Sequence, residues 1–179
     1  MSKQSSGDHE QFVLVDDDDR VVGPVSQRRC LRQGLRHRAV TVLLFDTPRE
    51  LYLQLRGHRM SWYPDTWTAS ATGHVQYGET YRQAALRELQ EELGIACRLH
   101  RLDKQQGPAW PYKGFTELEF VTVFEGRWNR MIQPHNTEVA GGEFVPLDRL
   151  NDEIAAGRRK CTPDLILALT LLRPYPHNP

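Results

Sequence analysis

The stretch Thr80–Gly94, Thr-Tyr-Arg-Gln-Ala-Ala-Leu-Arg-Glu-Leu-Gln-Glu-Glu-Leu-Gly, constrains this chain more than any other. Thr80–Leu93 reads as one helix, with Gly94 at the position where helices stop. At roughly 100° per residue, Glu88 and Glu92 lie about 40° apart and Glu91 about 60° to the other side of Glu88. Ala85, Leu86, Leu89 and Leu93 gather on the opposing flank, the stripe that seats a helix on a core. Three carboxylates are thus crowded on one face of a packed helix. Like charges at these spacings destabilise a helix by ~0.2–0.5 kcal/mol per pair. A hard divalent cation reverses that sign, because magnesium binds carboxylate oxygens and keeps waters for substrate phosphates. Taken alone, Glu-x-x-Glu-Glu reads better as a solvated acidic face.

The 179 residues fit one domain. Lys+Arg and Asp+Glu both number 23, which gives no electrostatic reason to expect a nucleic acid polymer as partner. No run approaches the ~20 apolar residues of a membrane helix, and polar Met1–Gln11 lacks the apolar run of a signal peptide. Residues 1–11 are expected to be a disordered tail before a single domain over 12–175. Cys30, Cys97 and Cys161 are an odd number without paired spacing, which points to a reducing, cytoplasmic setting.

Phe12–Val15 and Val21–Val25 read as strands around a solvated turn at Asp16–Arg20. Val40–Phe45 and Leu51–Arg56 read as a hairpin, and Trp62–Thr72 as a loop entering a strand. Glu119–Phe124 and Gly142–Val145 add strands. Asp148–Ala156 reads as a helix ending at Gly157, and Thr162-Pro163-Asp164 as the start of a helix over Leu165–Leu172. Strands interleaved with helices imply an α/β fold, a mixed β-sheet packed between helices.

The helix belongs to a longer array: Gly73-His-Val-Gln-Tyr-Gly78-Glu79, seven residues, then Arg87-Glu88-Leu89-Gln90-Glu91-Glu92-Leu93-Gly94-Ile95. Seven fixed and two apolar positions match by chance about once in ten million. This array resembles the signature of the Nudix hydrolase family without departure. The resemblance implies a Nudix-type α/β/α sandwich and a metal-activated water attacking a diphosphate phosphorus. It also implies roles. Glu88 and Glu92 would be the principal magnesium ligands, with manganese able to substitute. Glu91 would be a further ligand or the general base. Glu79 would pair with Arg87 or be an accessory ligand, the Gly73 carbonyl could complete the coordination, and Arg87 would hold Glu91 in place. Many members of the family pair as homodimers.

A second similarity runs from Phe12 to Leu172. Leu35-Arg-His37-Arg-Ala, Gln54-Leu-Arg56, Tyr63-Pro-Asp-Thr-Trp67-Thr, Thr72-Gly-His74 and Glu117-Leu-Glu119 look like the isopentenyl-diphosphate isomerase branch of the same superfamily. Those isomerases hold a divalent metal with three histidines and two glutamates. His37, His74, Glu117 and Glu119 match four of them, and Cys30 falls at the remaining histidine position. The set would suit zinc or another transition metal. Against that, Cys30 is equally credible as a small buried residue, His37 as structural, and Glu117 or Glu119 as pointing outward from an edge strand. The isomerases place a catalytic cysteine where this chain has Thr72, whose hydroxyl pKa is far too high to replace a thiol in proton transfer. The chain therefore resembles the hydrolase side of that branch.

Arg56 matches a phosphate-binding arginine of that branch and could clamp phosphate oxygens in bidentate fashion; a surface salt bridge is the alternative. Trp110, Tyr112 and Lys113 lie in an expected loop before the Glu117 strand, where aromatics could line a base or a prenyl-like tail. His74 lies beside the expected metal as ligand or as a donor to phosphate. Glu138 is a rival to Glu91 as base. The expected partner is a small diphosphate substrate of nucleoside diphosphate type. A prenyl-diphosphate isomerase and a non-catalytic ligand sensor are the alternatives.

Overall fold

The computed structural model describes residues 10–133 and 138–172. The organising strand is β3 (Arg36–Phe45). One edge of it pairs with β9 (Phe115–Arg127) along its whole length. The other meets in turn β1 (Gln11–Val15), which carries its hairpin partner β2 (Val21–Ser26), then β6 (Ala71–His74) and β4 (Glu50–Arg56). Strand β3 pairs antiparallel with β6 and parallel with β9, so the sheet is mixed. Strand β4 meets β3 in register only at Phe45↔Leu51. It pairs instead with β5 (Trp67–Thr68) and β10 (Val139–Pro146). The sheet therefore opens into a gap between its β3–β6–β9 half and its β4–β5–β10 half.

Alternation along the strands assigns the two faces. Val40, Val42 and Leu44 of β3 pack with Ala71, Phe120 and Phe124 under α2 (Tyr81–Leu93), through Ala84, Ala85, Leu89 and Leu93. Ala39, Leu43 and Phe45 pack with Val121 and Val123 against Leu150 of α3 (Leu147–Ala155) and Leu165 and Ala168 of α4 (Pro163–Leu169). This is the expected α/β/α sandwich. Helix α2 begins at Tyr81, with Thr80 not its first residue but its cap, in a capping box in which the Thr80 hydroxyl accepts from the Gln83 amide while Gln83 Oε1 accepts from the Thr80 amide. It ends at Gly94, whose φ of 66° is left-handed.

Several expectations need correction. Gln11 opens β1, so the tail cannot extend to residue 11; residues 1–9 and 173–175 lie outside the described set. Trp110–Tyr112 is not loop but β8, paired with β9 across a turn where Lys113 and Gly114 take φ of 48° and 83°. Strand β9 is not an edge strand: it lies between β3 and β7 (Leu99–Gln106), an element not anticipated, as was α1 (Gln27–Gln33). Helix α4 stops at Leu169 rather than Leu172. Among the described residues, no helix is long and apolar enough to cross a membrane.

Candidate active site

Strand β6 separates two clusters. Pairing opposite Val40 turns Gly73 toward α2, and pairing opposite Ala39 turns His74 to the other face. The Glu88 carboxylate lies against Gly73, filling the space a Cβ there would occupy. Arg87 gathers the acids around it. Its Nε and Nη2 donate to the two oxygens of Glu79 at 2.8 and 3.0 Å, and Nη2 also donates to the His74 carbonyl at 2.9 Å. Its Nη1 donates to Glu88 Oε1 at 2.6 Å and to Glu91 Oε2 at 3.4 Å. Glu79 thus pairs with Arg87, one of its two expected roles; against its burial, that pairing and the Gln76 amide hold its carboxyl below the usual range.

Glu88 and Glu92 face inward, whereas the Glu91 side chain is 59% exposed, so the three acids do not share one face equally. Burial pushes Glu88 up to about 7 despite Arg87. Burial, then the charge of Glu88, pushes Glu92 up to about 8, against the opposing effects of Gln54 and Arg56. Two enclosed acids with too little positive charge around them fit a hard cation, and a cation bound there would supply an acidified water and charge neutralisation at phosphate.

On the other face, parallel register sets His37 beside Glu119, and His74 joins them. Nε2 atoms of His37 and His74 each lie 3.4 Å from Glu119 Oε1, and His74 Nε2 is 3.8 Å from Glu117 Oε1. Phe12 stacks on both imidazoles, with centroids 5.2 and 4.2 Å away. His37 Nδ1 lies 2.9 Å from the Leu35 carbonyl and must donate there, so in the neutral ring Nε2 is a bare lone pair. That atom is fully buried and, among the described residues, has no hydrogen-bond partner. A lone pair facing a carboxylate needs a proton or a metal between them. Without metal the proton serves: although burial opposes it, contacts with Cys30 and Glu119 raise His37 to about 9, and those with Glu117 and Glu119 raise His74 to about 10. Ligand atoms of His37, His74 and Glu119 lie within 4.8 Å of one another, spacing that fits a metal. Cys30 touches His37 at the edge of that group, and its thiol donates at 3.3 Å to the Leu35 carbonyl that His37 Nδ1 also uses.

The gap between the half-sheets holds the remaining groups. Arg56 Nε donates to the Trp62 carbonyl at 3.0 Å, and its charge acts on both Glu92 and Asp164. Tyr112 packs with Trp62 and Tyr63 at centroid distances of 5.2 and 4.5 Å, whereas Trp110 packs on Gly107. Sequence reasoning missed Trp62, Tyr63, Gln54 and Asp164. Asp164, read only as part of a helix start, accepts from Thr68 Oγ1 at 3.2 Å, which accepts in turn from Thr162 Oγ1 at 3.0 Å. Burial, then Glu119, raises its carboxyl, against the Thr162 hydrogen bond and Arg56. A helix-start motif gives no sign of such a role; for Gln54 the only signal is a polar residue inside an apolar strand.

A capped acidic helix on a split mixed sheet thus lies beside an arginine and an aromatic wall. The sequence matches the NUDIX domain over residues 35–165. The chain belongs to the Nudix family. It is 32% identical over 153 residues to an isopentenyl-diphosphate Delta-isomerase of Serratia proteamaculans, covering 86% of each protein. Over 95 residues it is 39% identical to an uncharacterised Nudix hydrolase of Pseudomonas aeruginosa, covering 53% of this chain and 56% of that one. A crystal structure of DR0079 from Deinococcus radiodurans superposes with a TM-score of 0.74 at 28% identity, covering 93% of this chain and 99% of that one. Membership supports an enzyme acting on a diphosphate compound, and both the Nudix and isomerase families use divalent metals.

Proposed function

We propose that the protein is a magnesium-dependent hydrolase, with manganese able to substitute, that cleaves a phosphoanhydride in a nucleoside diphosphate-type compound. The observation that carries this reading is Thr72. It pairs opposite Thr41 and shares the face of His74 and Glu119, the place where the resembling isomerases carry a cysteine. A threonine hydroxyl cannot exchange protons with carbon as a thiolate does. The complete carboxylate set supports hydrolysis: Glu88 and Glu92 hold the cation, and Glu91 is a further ligand or the base that takes the water's proton. Arg56 binds phosphate, and Tyr112 with Trp62 lines the rest of the substrate. Asp164 beside Glu119 favours a substrate moiety rich in hydroxyl or amine donors over a hydrocarbon tail. Three free cysteines fit a cytoplasmic setting, and a homodimer is part of the same proposal.

An isomerase is the second reading, favoured by the relatives that carry that name and by the His37–His74–Glu119 group. Purified protein with magnesium, given nucleoside diphosphates, sugar nucleotides, dinucleotides and isopentenyl diphosphate, separates the two. Release of phosphate or nucleotide without allylic product is expected. Conversion of isopentenyl diphosphate with no hydrolysis of any compound would reverse the assignment.

A further inference from the structure

Gln54 lies in the middle of β4, 2% exposed, with its side chain turned toward α2. Its amide nitrogen donates to Glu92 Oε2 at 2.9 Å and reaches the Ser70 carbonyl at 3.4 Å. Both partners are acceptors, so only the NH2 end of the amide can face them. Ser70 is itself pinned, because its hydroxyl donates to the Tyr52 carbonyl at 2.6 Å and accepts from the Leu44 amide at 2.8 Å. The donor that meets Glu92 is therefore mounted on a rigid frame spanning both half-sheets. One turn earlier, Glu88 is held in the same way, with Oε1 taken by Arg87 at 2.6 Å. Among the described residues, each of the two inward acids thus has one oxygen engaged by a fixed donor and one left over.

We propose that Gln54 is a positioning residue that ties up Glu92 Oε2 so that only Oε1 turns to the cation, which tunes the site for magnesium against calcium. The inference rests on reading Glu92 as a metal ligand. Calcium accepts six to eight oxygens at about 2.3–2.6 Å and readily takes a carboxylate through both, whereas magnesium requires single oxygens near 2.0–2.1 Å in an octahedron. A carboxylate free to swing presents both oxygens and favours the larger ion. One held by a rigid donor presents one oxygen, at a fixed angle. Partners that orient ligands in this way are worth about 10–100-fold in metal affinity.

The test is calorimetric titration of chelator-treated full-length protein with magnesium and, separately, calcium, for wild type, Gln54→Met and Gln54→Leu. Both replacements keep the volume of the side chain and remove the donor, and thermal melts in chelator report whether each is folded. The ratio of calcium to magnesium dissociation constants should fall at least tenfold in a folded variant, through weaker magnesium binding. Equal weakening of both ions, or no change in either, would overturn the proposal. If neither variant folds, titration of the wild type decides: calcium binding as tight as magnesium would contradict a site restricted to single oxygens. Glu92→Gln is titrated alongside; unchanged magnesium affinity there would remove the reading of Glu92 as a ligand, a failure distinct from that of the role of Gln54.

Discussion

The Glu88 carboxylate rests directly on Gly73, in the volume a side chain at residue 73 would need. The first glycine of the signature therefore supplies room. Gly73→Ala should displace Glu88 from its inward position while leaving β6 paired, since β6 asks nothing unusual of that backbone. Turnover on the best diphosphate substrate should fall by ~100-fold or more, the scale of losing one charge-stabilising group, with the melting temperature in chelator moving by a few degrees at most. Wild-type turnover in that variant would show that Glu88 does not need its present place.

Asp19 supplies a stability prediction. The Asp16–Arg20 turn is solvated as expected at Asp16, which caps the turn by accepting from the amides of Asp18 and Arg20. Asp19 is buried instead. Its carboxylate meets Arg38 Nε and Lys104 Nζ, both at 2.6 Å, and the Tyr81 hydroxyl at 3.1 Å, tying β1–β2 to β3, β7 and the start of α2. Asp19→Ala leaves two cations facing each other. For a fully buried pair the cost is ~3–5 kcal/mol; with Lys104 31% exposed, about 2–3 kcal/mol is expected after screening. That corresponds to a melting temperature lower by ~4–12 °C in calorimetry. An unchanged melt would mean the network is incidental.

Glu92 gives a pH prediction. Its carboxyl is pushed from 4.5 to about 8, first by burial, in the metal-free fold. Between those values the folded chain binds a proton that the unfolded chain has lost, so stability from this group is full below 4.5 and drains away as pH rises through 8. Glu92→Gln removes the dependence. In chelator, the melting temperature of the variant minus that of the wild type should grow across this window and then level off. A difference that is flat with pH would contradict the burial of an unneutralised acid.

Asp164 bears on the substrate. The wild type should prefer a nucleoside diphosphate to dimethylallyl diphosphate, measured as kcat/KM or as binding where one is not turned over. Asp164→Leu should narrow that preference at least tenfold, chiefly through KM, because a hydrogen-bonding pocket loses its means of rejecting the apolar ligand. Asp164→Asn should retain most of it. A preference identical in all three proteins would place Asp164 outside the substrate's reach.

These residues show what was legible in the sequence. Helix α2 and the clustering of its three carboxylates followed from spacing alone, since a helix fixes its own angular geometry, but spacing did not say that Glu91 would face outward while Glu92 is buried. The meeting of His37, His74 and Glu119 required three strands to pair in one register, and resemblance supplied what local pattern could not. Cys30 does lie against His37, but its thiol is directed to the Leu35 carbonyl from α1, a helix without a strong periodic signal. Gln54, Asp19 and Asp164 stayed hidden for one reason: each takes its role from partners 16 to 96 residues away in sequence. Neither periodicity nor turn chemistry encodes such contacts.

The central claim is that the inward acids of α2 form a catalytic magnesium site. Its most direct test is the turnover of Glu92→Gln in saturating magnesium, with the melting temperature taken on the same samples. The Gln side chain keeps the shape and removes the charge, so activity should fall by at least ~100-fold. The fold should be retained or slightly stabilised in chelator, and added magnesium should raise the melt of the wild type far more than that of the variant. Wild-type turnover in the variant, or a lost fold in place of lost activity, would contradict the account.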